Sequence, residues 1–490
     1  MMDFALELDP LAGEPIYRQL YERIASKIHS GEIGRGERLP ATRELAGLLG
    51  LNRATVSAAY ELLEADHLIS GRVGRGSFVT GGGPAGAVDW VSLLERSEAA
   101  PLGPVGGFAR EIISFAMSRP SSALFPLDDF RATCATVLAR RDLAEILQLG
   151  SPSGYEPLRR RLLDEARGQH LAGPGDDLLI TNGCQQALDL IARVLLRPGD
   201  AVVVEDPVYP GLKNLLAGAG CHLIGIPVGR DGIDAAQLER AVERSRPRLI
   251  VVTSNFQNPT GATLPLAARR ALLDAARSAG APVIENDPYV ELRYRGEPVP
   301  AIKQLDDGEG TVLLRSFSKV SFPGLRVGWA VGPKALIERM RQAKETSDLH
   351  TDQLSQAVLL EFLESGRLEA HRMRVLRAGE ERLAAALEAC QGCLPAASRW
   401  TRPEGGMNLW LRLPEPLDAG ELLPRAHKEG VAYLPGRYFT VSRPEPGALR
   451  LSFAGLTPEQ IRKGLGILGR IVSAELESAS RNTGPVPAMV

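Results

Sequence analysis

Cysteine is scarce: 490 residues hold five, Cys134, Cys184, Cys221, Cys390 and Cys393. Their odd number and wide scatter argue against a disulfide framework and fit a reducing compartment. Cys390 and Cys393 form a CxxC pair, but no second ligand pair or thioredoxin-like setting accompanies it, so no metal site is read there. No run of about 18 apolar residues is present, so a membrane span is not expected. The N-terminal stretch MMDFALELDP is acidic, with no basic region, long apolar stretch or small-residue cleavage site, and a cytoplasmic location is expected. A net charge of −2 leaves no large electrostatic field toward nucleic acid or an acidic substrate.

What is present is a soluble globular composition, 44% hydrophobic and 24% charged, in a chain long enough for several folding units. Residues 1 to 80 read as one small domain. Ile16, Leu20, Ile24 and Ile28 lie four apart and share a helical face. Thr42 is read as the N-cap of a second helix, Arg43 to Leu49, ending at Gly50. A third helix starts at Asn52 or Arg53, with Val56, Ala59, Tyr60 and Leu63 on its apolar face. HLISGRVGRGSFV then reads as two short strands around a turn, a β-wing.

Residues 81 to 108 are rich in Gly, Pro and Ala and read as a linker with a short docking segment, DWVSLL. From 109 to 475 helical patterns alternate with short apolar runs (DLLIT, DAVVVED, LIVVTS, APVIEND, TVLLRS), the pattern of an α/β domain with buried, mainly parallel strands. A smaller α+β subdomain is expected over about 348 to 475, and a flexible tail over 476 to 490.

The densest chemistry lies in LLRSFSKVSFPGLRVGW. A lysine amine there, Lys319, can hold an aldehyde cofactor as a Schiff base. Ser316 and Ser318 offer hydroxyls just before it, and Arg326, seven residues on, can give a forked charge-assisted pair to a phosphate.

Around this lysine, residues 110 to 475 resemble the fold-type I aminotransferases, which bind pyridoxal 5'-phosphate. By that resemblance Gly183, Cys184 and Gln185 of TNGCQQALD receive the phosphate at a helix N-terminus, an inherent anion site. Tyr209 of EDPVYPG resembles the ring-stacking aromatic. Asn258 of NFQNPTG and Tyr289 resemble the pair facing the phenolic oxygen, and Arg450 of ALRLSF resembles the arginine that clamps a substrate carboxylate. GSPSGYEPLRRRL, residues 150 to 162, matches a further motif. The chain departs from the family at the aspartate expected against the pyridine nitrogen. Three residues before Tyr289 stands Asn286; two before it stands Asp287. Neighbouring strand residues face opposite ways, so one of the two meets the ring, and Asn286 is favoured. A neutral amide would make the ring a weaker electron sink than a carboxylate does.

Residues 13 to 80 resemble the winged helix-turn-helix of GntR-type regulators, through LPATREL, NRATVSAAYELL and GRGSFV. The resemblance assigns Arg43, Arg53, Thr55 and Ser57, with Arg72, Arg75 and Gly76 of the wing, to double-stranded DNA. Charge supports this only locally: nine Lys/Arg against eleven Asp/Glu give residues 1 to 80 a net of −2, yet five arginines fall between Arg38 and Arg75.

The two modules in this order resemble the MocR subfamily of GntR regulators. The resemblance implies a multidomain chain, an α+β winged helix-turn-helix followed by an α/β aminotransferase-like domain, commonly assembled as a head-to-tail homodimer. The expected function is a transcriptional regulator that senses pyridoxal 5'-phosphate, or an amino-acid or amine effector, through Lys319, with at most slow or half transamination. The alternatives are a working amino-acid aminotransferase with an appended DNA-binding module, and a repressor that retains the fold without using the cofactor.

Overall fold

The computed structural model describes residues 8–9, 13–34, 36–72, 76–80, 112–229, 232–307 and 310–482, and the chain divides into two compact units at residues 98 and 99. The linker expected over 81 to 108 lies outside the described residues.

In the first unit α1 (Ile16–His29), α2 (Thr42–Leu49) and α3 (Arg53–Ala65) surround one apolar core. Leu20, Ile24 and Ile28 from α1 meet Val56, Ala59, Tyr60 and Leu63 from α3 there, as the spacing predicts, while Ile16, the fourth residue expected on that face, is only half-buried and lies outside this core. Thr42 is not the N-cap: it is the first helical residue, and Ala41 holds the cap position, where the Glu44 carboxylate accepts from its amide at 3.4 Å. The helix therefore begins one residue earlier than the expected Arg43. Asn52 caps α3 through its side-chain oxygen, which accepts from the Ala54 amide at 3.0 Å. The Tyr60 hydroxyl donates to the Pro40 carbonyl at 2.8 Å and ties α3 to the turn before α2.

The wing pairs β1 (Ile69–Arg72) antiparallel with β2 (Gly76–Val79). A third piece pairs with β2: the Leu39 amide donates to Ser77 and the Val79 amide to Glu37. It is too short, between Gly36 and Pro40, to show an alternating pattern in the sequence.

The second unit begins with β3 (Ile113–Ser114), followed by α4 (Leu127–Leu138) and α5 (Glu156–Gly168). Its central sheet contains β4 (Asp176–Thr181), β5 (Ala201–Asp206), β6 (His222–Gly229), β7 (Gly232–Ile233), β8 (Leu249–Val252), β9 (Val283–Asn286), β10 (Thr311–Ser316) and β11 (Gly328–Pro333). The order is β4-β11-β10-β9-β8-β5-β6-β7. The run from β10 to β6 is parallel; β11 is antiparallel to both of its neighbours. β6 and β11 carry Gly and Pro that read locally as turns, so the sequence alone hid them.

The strands are apolar throughout because both faces are covered. Val202 and Val204 pack with α6 (Cys184–Leu195), whereas Val203 packs on the opposite face with α8 (Ala235–Ser245) and α9 (Leu266–Ala279). Between α6 and β6, α7 (Pro210–Gly218) follows β5.

After β11 come α10 (Lys334–Asp348), α11 (Gln353–Glu364) and α12 (Arg367–Cys393). α11 packs with α4 and α5 in the large lobe, so the small subdomain does not begin at 348. The lobes meet within α12, whose first turn joins the large-lobe core through Leu368 and whose second half joins the small one through Leu383 and Ala386.

The small lobe holds a four-stranded sheet, β12 (Arg399–Trp400), β13 (Asn408–Arg412), β16 (Ala448–Ser452) and β15 (Leu434–Pro435). α13 (Ala419–Lys428) and α14 (Pro458–Asn482) pack against it, and β14 (Val431–Ala432) lies before β15. β3 pairs with β14, so the lobe also takes in residues near 113. α14 runs to Asn482, past position 476 where the tail was expected to start, because Leu476 continues its apolar face onto the core. No helix among the described residues is long and apolar enough to cross a membrane.

Candidate cofactor site

A cavity of about 600 Å³ opens between the two lobes, at the carboxyl ends of β5, β8, β9 and β10, where open α/β sheets bind ligands. It gathers residues far apart in sequence: Ala116 to Arg119 after β3, Gly183 to Gln185 at the start of α6, Tyr209, Asn258, Asn286, Tyr289, Ser316, Ser318, Lys319, Arg326 and Arg450.

At one end lies an anion cup. Gly183 stands before the first turn of α6 with φ +82°, and a Cβ there would lie 2.6 Å from Arg326 Nη2, so only glycine lets the guanidinium approach. Arg326 donates to the Asn182 carbonyl at 2.9 Å and to Ser318 Oγ at 3.5 Å. Ser316 Oγ accepts from the Ser318 amide at 3.1 Å and lies 2.9 Å from Ser318 Oγ. A helix N-terminus, a guanidinium and two hydroxyls thus converge on one place. A part-buried network holds the turn from behind. Asp348 accepts from Asn182 Nδ2 (2.7 Å), Gln186 Nε2 (2.5 Å) and Lys344 Nζ (2.7 Å).

Lys319 follows β10, half-buried, with Nζ donating to the Ser118 carbonyl at 3.3 Å and lying 5.4 Å from the centre of the Tyr289 ring. Tyr209 folds over the first turn of α7; a Cβ on Gly211 would sit 2.4 Å from its ring. Burial raises the Tyr209 hydroxyl. Gln185 Nε2 donates to the Gly211 carbonyl at 3.1 Å and leaves Oε1 buried without a partner. From the small lobe, β16 sends in Arg450, whose guanidinium donates to Asn258 Oδ1 at 3.2 Å and to the Ala116 carbonyl. Burial lowers Arg450 to about 10, Tyr289 and Tyr209 partly offsetting it, and its Nε lacks a partner. Burial pushes the Cys184 thiol up to about 12, against the nearby Lys319 and Arg326 cations, so it stays a neutral thiol in the lining.

Asn286 ends β9 and lines the cavity, whereas Asp287 does not. Asp287 is fully buried, accepts from Asn255 Nδ2 at 2.9 Å and lies 3.7 Å from Arg315. Burial raises its carboxyl, Arg315 pulling the other way. Asn255, Arg315 and Ser118 carry no sequence signal that would have marked them. They matter through neighbours that only folding supplies.

The anion cup, Lys319 and the unpartnered Arg450 Nε–H, a donor for an anionic group, fit a phosphorylated aldehyde cofactor of the pyridoxal type. In the first unit Arg43 and Arg53 are exposed, Thr55 and Ser57 half-buried on α3, and Gly76 opens β2 with φ +100°. Arg72 ends β1; Arg75 lies outside the described residues.

The profile described as "Aminotransferase class I and II" matches residues 114–468, and that of "Bacterial regulatory proteins, gntR family" matches 16–79. Fold and site thus define a GntR helix-turn-helix module fused to an aminotransferase class I and II domain, a fold that typically binds pyridoxal 5'-phosphate. The second unit superposes on a Pyrococcus horikoshii kynurenine aminotransferase with a TM-score of 0.72 at 34% identity, over 79% of this chain and 93% of that one. Aromatic-amino-acid aminotransferase 1 of Thermococcus litoralis is 34% identical over 75% of this chain and 89% of its own. The probable rhizopine catabolism regulatory protein MocR of Rhizobium meliloti is 32% identical over 97% of each chain. The chain belongs to the MocR-type transcriptional regulators of the GntR family.

Proposed function

We propose that this regulator senses pyridoxal 5'-phosphate, or an amino compound captured by it, through Lys319, and that the occupied second unit changes the affinity of the winged helix for double-stranded DNA. The observation that carries the reading is the pairing, in one chain, of exposed Arg43 and Arg53 on a GntR module with a complete anion cup around Lys319.

Lys319 would anchor the cofactor. Gly183, Cys184, Gln185, Ser316, Ser318 and Arg326 would hold its phosphate, Tyr209 its ring face, and Asn258 with Tyr289 its phenolic oxygen. When bound, the cofactor supplies an aldehyde carbon that exchanges one amine for another. Arg450, buried and with a free Nε–H, would take the carboxylate of an amino-acid effector. A head-to-tail homodimer is the assembly that fits the family. The effector shifts DNA occupancy only by its differential affinity for the DNA-competent and incompetent states.

The test is DNA binding measured with and without pyridoxal 5'-phosphate across a panel of amines and amino acids, together with cofactor absorbance. An amine-dependent change in DNA affinity that disappears in Lys319→Ala is expected. DNA binding that persists with no response to cofactor or amine would falsify the reading. Multiple turnovers of an amino acid with a 2-oxo acid, unchanged on removing residues 1 to 80, would instead favour a working aminotransferase.

A further inference from the structure

The charges around the cavity are one-sided. Among its described lining residues are Arg119, Lys319, Arg326 and Arg450, with His427, and no aspartate or glutamate. The acids closest in sequence turn away from it. Glu285, in β9, accepts from the Ile302 and Lys303 amides at 2.9 Å each, and Asp287 is committed to Asn255 and Arg315. Strand alternation sends the residue between them the other way. Asn286 reaches the cavity with 7% of its surface exposed, and its Oδ1 is buried without a partner.

Nδ2 is not among the sequestered atoms and is the amide atom left to the cavity, so a pyridine nitrogen there meets a hydrogen-bond donor and no counter-charge. A protonated ring there would carry a buried positive charge with no carboxylate beside the nitrogen to offset its desolvation, which disfavours it. We infer that Asn286 holds the cofactor's ring nitrogen in its unprotonated form, its Nδ2–H donating to the ring lone pair. The inference rests on the reading that the cavity takes pyridoxal 5'-phosphate. Its consequence is a ring that draws electrons weakly from a captured amine. The amine then stays bound long enough to act as a signal instead of being turned over, and Asn286 is a positioning residue that suits the site to sensing.

The full chain, loaded with cofactor labelled with 15N in the ring, would be examined by solid-state NMR, with absorbance of the lysine-bound cofactor as a separate measure of occupancy. The unprotonated pyridine shift is expected in the native protein, and the pyridinium shift in Asn286→Asp. Asn286→Ala should weaken cofactor binding about three- to tenfold, the loss of one neutral hydrogen bond. A pyridinium signal in the native protein overturns the inference while leaving the cofactor reading intact. A shift that does not move in Asn286→Asp removes Asn286 from the role. Failure of the native chain to develop any cofactor band overturns the cofactor reading, and the inference with it.

Discussion

In the winged helix, Arg43 and Arg53 stand exposed around a core of Leu20, Ile24, Val56 and Leu63; in the second unit Arg326, Arg450 and Lys319 are drawn into a cavity and tied to backbone carbonyls. The first arrangement leaves its charges in solvent, where any contact they make with phosphates would be weakened by salt. The second is organised in advance. The Asn182 turn is held by Asp348 and Lys344, and Asp287 by Asn255, whose oxygen accepts in turn from Arg269 at 2.8 Å. A polar group in such a network has little freedom left to lose on binding, and removing one leaves its partners buried and unpaired.

The sharpest way to break this contrast is Lys319→Ala. It should abolish cofactor retained after borohydride reduction, read by mass spectrometry, and leave DNA affinity of the cofactor-free chain unchanged. Arg326→Ala comes next, with a fall in cofactor affinity of about 10- to 100-fold in an absorbance titration, the range for one charged hydrogen-bonding group. Gly183→Ala should behave similarly, since its Cβ would meet Arg326 and its φ of +82° disfavours any side chain. A normal affinity in both variants would mean that the cup does not hold the phosphate.

In the exposed unit the effect should be smaller and of another kind. Arg53→Ala should weaken DNA binding several-fold and lower the slope of log affinity against log salt by about one, if it neutralises one phosphate. An unchanged slope with lost sequence discrimination would make Arg53 a base reader instead.

A further contrast concerns pH and stability, not binding. His371 is buried against Phe322, its ring centroid 6.1 Å away, and burial lowers it to about 4 from an ordinary 6.5. The unfolded chain therefore binds the proton first. Stability is fully present above about 6.5 and is lost as pH falls toward 4, by on the order of 3 kcal/mol. His371→Gln should flatten the urea midpoint between pH 7 and 5; an unchanged slope would assign the acid sensitivity elsewhere.

Much of this was legible along the chain. The α1 and α3 faces followed from four-residue spacing, and five of the central strands from their apolar runs, because both signals are local. β11 and the strand-like piece at Leu39 were not, since each is bounded by Gly or Pro and gains strand character only from its neighbour. The lobe boundary and the length of α14 were misplaced for the same reason. Pro, Gly and polar residues mark where a helix could stop, whereas packing of Leu368 and Leu476 decides where it does.

The sequence by itself determined the two-module plan, Lys319 and its flanking Ser316, Ser318 and Arg326, and the glycine at 183. Each of these depends on spacing within a short motif. Tertiary structure decided that Asn286 and not Asp287 lines the cavity, that Ala116 and Ser118 close it against Arg450 and Lys319, and that the lining described holds four of the long cations and no acid. Those properties depend on which way a strand end turns its side chains and on which distant groups share a buried space.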